Sequence, residues 1–224
     1  ESMRSGSYPT VYLRNKQGGE DAVAAQVDVG MDGIWFLAES VPALGALTYS
    51  MRNDGGNTTV HPSIVAFAAT LTSQRLTVSF DPTTNLLASI THHESETEVR
   101  VSQQYMEYVD GPGGCYVMVE VADARPVVTD VTAITVSGPV MSEVRQSFDA
   151  GLTQILRLPV TASVLTVIHD IGTLRANTEI ISRITTDLRT GGSFHTDDSG
   201  LEMHKRQFNA SMPISGNYHA LVSS

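Results

Sequence analysis

Cysteine, tryptophan and positive charge are scarce in this 224-residue sequence, and long apolar runs are missing. The single Cys115 removes any internal disulfide, and it neither demands nor excludes an oxidising compartment. One tryptophan, Trp35, in a chain with 6% aromatics supplies little for an exposed sugar-stacking platform. Lys and Arg number 14 against 24 Asp and Glu, and the basic residues are scattered. The resulting formal charge of -10 argues against a nucleic-acid backbone or an anionic lipid surface, both of which need clustered cations. No stretch of about 18 apolar residues occurs, and the N-terminal "ESMRSGSYPT" lacks the apolar core of a signal peptide. Neither nucleic acid nor a membrane is therefore expected as a partner. No serine stands in a G-x-S-x-G elbow, Cys115 has no cysteine-protease surroundings, and neither a P-loop nor a G-x-G-x-x-G fingerprint is present.

What is present reads as β structure. A hydrophobic content of 41% is enough to bury a core. Segments such as "QRLTVSFD", "EVRVSQQYMEYV", "GCYVMVEV", "VVTDVTAITVSG", "VMSEVRQSF", "TQILRLPV", "SVLTVIHDIG" and "TEIISRITTDL" are short, rich in Val, Ile, Thr and Tyr, and roughly alternating. Gly, Pro, Asn and Asp separate them, and "FDPTT" gives an Asp-Pro turn between two strands. That cadence predicts an all-β, antiparallel sandwich without parallel crossovers. Composition divides the chain into a linker over 1–19, a small β module over 20–71, and the N-terminal part of a large β-sandwich over 72–224. The first residue is not Met, and we expect a processed or excised piece of a longer protein. Two acceptor sequons, at Asn57 and Asn209, are candidate glycosylation sites if the protein is secretory.

The densest chemistry lies in "FHTDDSGLEMHKR", residues 194–206. On a strand, His195 and Asp197 share a face, and with His204 or Asp198 they approach a zinc ligand set. The same Asp-Asp-Ser-Gly is good hairpin-turn chemistry, so a charged hairpin is the expected reading. His92 and His93 are adjacent, hence on opposite faces of a strand and unable to chelate together. No carboxylate pair for glycoside hydrolysis is identifiable. The glycine-dense "DGPGGCY" reads as a turn that presents Tyr116.

In order along the chain, "VPALGALTYSM", "FDPTTNLLASITHHES", "VSQQYMEYVDGPGGCYV", "SGPVMSEVRQSF", "ILRL", "TEIISRITTDLRTGGSFHTDDSGLEMHKR" and "PISGNYHAL" resemble the zinc-dependent α-mannosidases of glycoside hydrolase family 38, nearest the lysosomal type. The phrases span roughly residues 38–221, and Thr-Asp-x-x-Gly followed by a basic pair and then Gly-Asn-Tyr is the most specific. The resemblance implies a galactose-mutarotase-like supersandwich, incomplete here, from the β region that follows a catalytic α/β domain and a helical bundle. Zinc and the nucleophilic aspartate would belong to the absent α/β domain. No catalytic or metal-binding residue and no cofactor are then expected in this segment, and Arg206 is not the family's substrate-site arginine.

Tyr116 matches the tyrosine of the family's Ser-Gly-Ala-Tyr turn, with Gly-Gly-Cys before it here, and is the expected substrate-binding residue. His195 stands where relatives have tyrosine, so His195-Thr196-Asp197 only imitates a zinc triplet. The implied partners are the N-terminal α/β and helical domains, the C-terminal β remainder and a mannose-containing glycan. The implied compartment is a lysosome or vacuole. The alternative is a carbohydrate-binding or interaction sandwich without catalysis. Apolar faces left by missing strands lead us to expect a homodimer or other association.

Overall fold

The computed structural model describes residues 8–30, 33–56, 58–109, 122–127, 130–148, 151–198 and 201–212. Among the described residues there is no helix, and the chain divides into two compact units. Residues 1–98 and 129–172 form the first, and 99–128 and 173–224 form the second. Both units are discontinuous in sequence, with breaks after residues 98, 128 and 172.

The first unit opens with two small sheets. β1 (Thr10–Arg14) lies between β2 (Glu20–Val23) and β5 (Tyr49–Arg52), antiparallel to both. Thr10 and Val11 are buried, so residues 10–14 are a central strand and not part of a linker. Polar flanks conceal the short alternating "TVYLR" from a reading based on composition. The second small sheet has β3 (Ala25–Val27) between β4 (Ile34–Phe36) and β6 (Thr59–Val60). Its β3–β6 pairing is parallel, a local exception to the antiparallel rule.

The sandwich proper follows. β7 (Ser63–Ala66), β13 (Val131–Ser137), β14 (Met141–Phe148), β15 (Leu152–Pro159) and β16 (Thr166–Ile171) make a five-stranded sheet in the order β16-β15-β14-β13-β7. β8 (Thr70–Thr72), β9 (Leu76–Phe80) and β10 (Leu87–His92) form an antiparallel meander. Alternation decides the packing. In β9, Leu76, Val78 and Phe80 point inward; in β15, Leu152, Leu156 and Leu158 do so. Full burial of each such side chain contributes roughly 1.5–3 kcal/mol.

Phe67, just after β7, meets Phe80 edge-on at 5.8 Å between ring centroids. The predicted Asp-Pro turn joins β9 to β10: Asp81 Oδ1 accepts from the amides of Thr83 and Thr84, both at 2.8 Å, and Asn85 takes a positive φ of 59°. Those amide donors hold the Asp81 carboxyl below its ordinary range. Asn85 then ties the turn inward, donating to Val131 O at 2.7 Å and accepting from Gln146.

β11 (Thr97–Val109) belongs to the second unit from Val99 onward and pairs antiparallel with β17 (Thr178–Thr186) over nine residues from Val101 to Val109. β12 (Arg125–Pro126) pairs with it at Met106 and Glu107. Gln103, Tyr105 and Met106 are buried, and burial pushes the Tyr105 hydroxyl well above the ordinary phenol range. β18 (Ser193–Asp198) and β19 (Glu202–Gln207) form a separate hairpin.

Candidate functional site

Tyr116, Cys115 and the glycine run before them lie outside the described residues, as does Asn57. The hairpin expected at 194–206 is formed, and its register decides what its charges can do. Phe194 pairs with Arg206, His195 with Lys205, Thr196 with His204 and Asp197 with Met203. Directly paired residues share a face, so His195 and Asp197 stand with Lys205 and Met203, whereas His204 projects from the other side with Thr196. A cation beside His195 and a ligand on the wrong face do not fit zinc. Thr196 is buried and accepts from Arg206 Nε at 3.2 Å; His204 lies 3.9 Å from Glu202. Among the described residues no three His, Cys, Asp or Glu side chains converge as a metal site.

His92, the last residue of β10, and His93, the first of the turn after it, have different partners. His92 Nδ1 faces Ser95, whereas His93 contacts Thr77 Oγ1 at 2.9 Å and Gln74 O at 3.1 Å. Asn209 is exposed, and its Oδ1 accepts from the amide and hydroxyl of Ser211.

The strongest concentration of charge is one that sequence reasoning missed. Glu143 and Arg145 lie two apart on β14 and thus on one face, and Arg157 on β15 is directly opposite Glu143. Glu143, 1% exposed, accepts from Arg157 Nε at 2.5 Å through one oxygen and from Arg145 Nη2 at 2.7 Å through the other. Arg145 Nη2 lies 3.7 Å from Asp28, just after β3, and Asp28 accepts from Trp35 Nε1 at 2.7 Å. The Arg157 guanidinium closes the circuit over the Trp35 ring, 4.5 Å from its centroid.

Two carboxylates and two guanidiniums cancel, so the cluster is electrically closed. Both carboxylates are committed to donors, which makes this a clamp from the β4-β3-β6 sheet to the sandwich and not an acid/base pair. Trp35, so engaged, is no stacking platform. No local signal marks the cluster, because the charges of "SEVRQSF" and the Arg of "ILRLP" alternate with the core residues Val144, Leu156 and Leu158 and so occupy the ordinary polar positions of their strands. Beside Arg145 lies an open depression of about 340 Å³, bounded by Thr132, Ile134, Ser147, Thr153 and Ile155.

In the second unit, Glu107 is largely buried and holds two exposed cations, Arg125 at 3.6 Å and Arg175. It is a surface clamp of the same kind.

The model of the glycosyl hydrolases family 38 C-terminal domain matches residues 71–214. Lysosomal alpha-mannosidase of Homo sapiens is 27% identical over 212 residues, covering 82% of this chain and 21% of the relative. Alpha-mannosidase of Canavalia ensiformis is 25% identical over 219 residues, covering 84% and 22%. Epididymis-specific alpha-mannosidase of Sus scrofa is 29% identical over 173 residues, covering 66% and 17%. The chain thus spans about a fifth of the length of the curated relatives it matches.

Proposed function

Since the chain belongs to the family 38 glycosyl hydrolases through their C-terminal domain, we propose that it is the β segment of a zinc-dependent, retaining α-mannosidase that removes terminal α-mannose from oligomannosides and N-glycans. The observation that carries this reading is the family match over 71–214, with alpha-mannosidases among the relatives on both the animal and the plant side. Alone, the segment is inactive. A retaining glycosidase needs a carboxylate nucleophile and a second carboxyl as acid/base about 5–5.5 Å apart, and the carboxylates of the buried cluster are engaged with guanidiniums. Zinc, held by residues outside this chain, would grip sugar hydroxyls and stabilise the distorted ring.

The segment contributes a wall to the sugar site. Tyr116 is its contact, giving one hydrogen bond worth about 1 kcal/mol to a neutral partner and more to a charged one. Partners are the α/β and helical domains and the remaining β structure of the parent. The lysosomal alpha-mannosidases among the relatives support a lysosomal or vacuolar location.

The test is hydrolysis of a chromogenic α-mannoside at acid pH with added zinc, alongside elemental analysis of bound metal. We expect no turnover and no stoichiometric zinc in the isolated chain. Zinc-dependent turnover lost in His195→Ala would overturn the reading.

A further inference from the structure

The β2-β1-β5 sheet carries a polar groove that the mannosidase reading leaves unused. It has a volume of about 560 Å³ and is lined by Arg14, Glu20, Thr48, Ser50 and Arg52, with the Gly18–Gly19 turn at one end. That size lies within the roughly 300–1,000 Å³ of small-molecule sites. Register places Arg14 opposite Glu20 on one side of β1, and Tyr12 opposite Ser50 on the other. Yet Glu20 does not serve Arg14. Its Oε1 accepts from Arg52 Nη2 at 2.7 Å and from Ser50 Oγ at 3.2 Å. Among the described residues the Arg14 guanidinium has no ion-pair or side-chain hydrogen-bond partner.

Glu20 is thus taken up by Arg52, and the Arg14 guanidinium stands at the groove without a carboxylate partner among the described residues. The surroundings are fixed in advance. Asn15 Oδ1 accepts from the amides of Gln17 and Gly19 and so holds the β1–β2 turn. Arg52 also rests 5.6 Å from the Tyr12 ring centroid, and Tyr12 is pinned by its hydroxyl to Asp54 at 2.5 Å. Arg52, so held, loses little freedom on binding, Arg14 is unspent, and guanidinium forks match tetrahedral oxyanions.

We propose that this groove binds a sugar carrying a tetrahedral oxyanion, a phosphate or sulfate monoester of a hexose. Arg14 and Arg52 take the anion, and Ser50, Thr48 and Glu20 take ring hydroxyls. The sugar half rests on the glycan-handling role proposed above, whereas the anion half rests on the charges alone.

The test is an amide chemical-shift titration of the whole 224-residue chain with a hexose 6-phosphate, a hexose 6-sulfate, inorganic phosphate and a neutral hexose. Saturable shifts at Arg14, Gly18, Glu20, Ser50 and Arg52 are expected for an ester, weakening with added salt, and none for the neutral sugar. The preferred ester identifies the anion. Arg14→Gln should weaken binding about tenfold, which corresponds to roughly 1.4 kcal/mol. It should leave the unfolding midpoint unchanged, because this guanidinium holds nothing in the fold. Arg75→Gln, an exposed cation elsewhere on the unit, should bind as the parent does.

No saturable shift with either ester, or unaltered binding in Arg14→Gln, would overturn the site. Inorganic phosphate binding as tightly as the esters would overturn its sugar half. None of these readouts depends on mannosidase activity, so the two readings fail separately.

Discussion

Glu143→Gln is the substitution whose consequence the structure specifies most fully. The change keeps shape and volume but removes the charge that two guanidiniums share. Arg157 is 15% and Arg145 22% exposed, so neither is rescued fully by water. Removing one member of a buried ion pair costs about 3–5 kcal/mol, because the other charge is left desolvated and unpaired. Two contacts soften the loss here. Arg145 retains Asp28, and Arg157 retains the face of Trp35. The lower end, about 3 kcal/mol, is therefore the expectation.

Trp35 is the only tryptophan and belongs to the cluster, so its fluorescence during urea unfolding reports on the first unit alone. With a slope of about 1–3 kcal/mol per molar urea, the midpoint should fall by roughly 1–3 M without a change in slope. Adding Arg157→Met to Glu143→Gln should recover part of the loss, giving a coupling between about 0.5 and 3 kcal/mol. A loss below about 1 kcal/mol, the range of surface pairs, would refute the claim that the cluster is a desolvated clamp.

Asp54 is the main cause that raises the Tyr12 hydroxyl above its ordinary value, while Tyr12 and the Gly56 amide lower Asp54. Asp54→Asn should bring Tyr12 back toward ordinary phenol titration by carbon NMR, and an unmoved Tyr12 would refute the pairing. By sign, the Asp54 contribution is present above the usual Asp range and lost as pH falls through its lowered value. The Tyr12 contribution is present below the usual Tyr range and lost as pH rises through its raised value. Desolvation lowers His169, so its contribution stands above about 6.5, the unfolded value, and declines as pH falls through the lowered value; His169→Gln should flatten the stability profile there. β7 and β16 are the edges of the five-stranded sheet and expose Ile64, Val65, Ile168 and Ile171, so concentration-dependent association is expected in sedimentation velocity, weakened by Ile64→Lys. A monodisperse monomer at all concentrations would refute it.

The sandwich strands were legible because their physics is local. A period of two in "LTVSF", "MSEVRQSF" and "LTQILRLP" follows directly from one face meeting a core, and the Asp81 turn and the 193–207 hairpin carry their own side-chain instructions. Pairings between distant segments were not legible. β7 joins β13 across some seventy residues, and the two-residue β3–β6 pairing leaves no periodic trace at all.

The candidate site shows the same division in its charges. His195, Asp197 and His204 crowd together in sequence, which is why they look like chemistry, yet a hairpin alternates them onto opposing faces. Asp28, Trp35, Glu143 and Arg157 are scattered over 130 positions and look unremarkable singly, yet the sheet register and one return of the chain close them into a circuit. Sequence density measures proximity along the chain, whereas electrostatic coupling depends on distance through space and on the water removed from between the groups. Glu143 stands on the strand face opposite its buried neighbour Val144, where a polar residue is ordinary, so its burial comes from the sheet that covers that face and not from its place in the alternation. The same rule explains Arg14, whose opposite charge stands directly across the strand and still is not its partner.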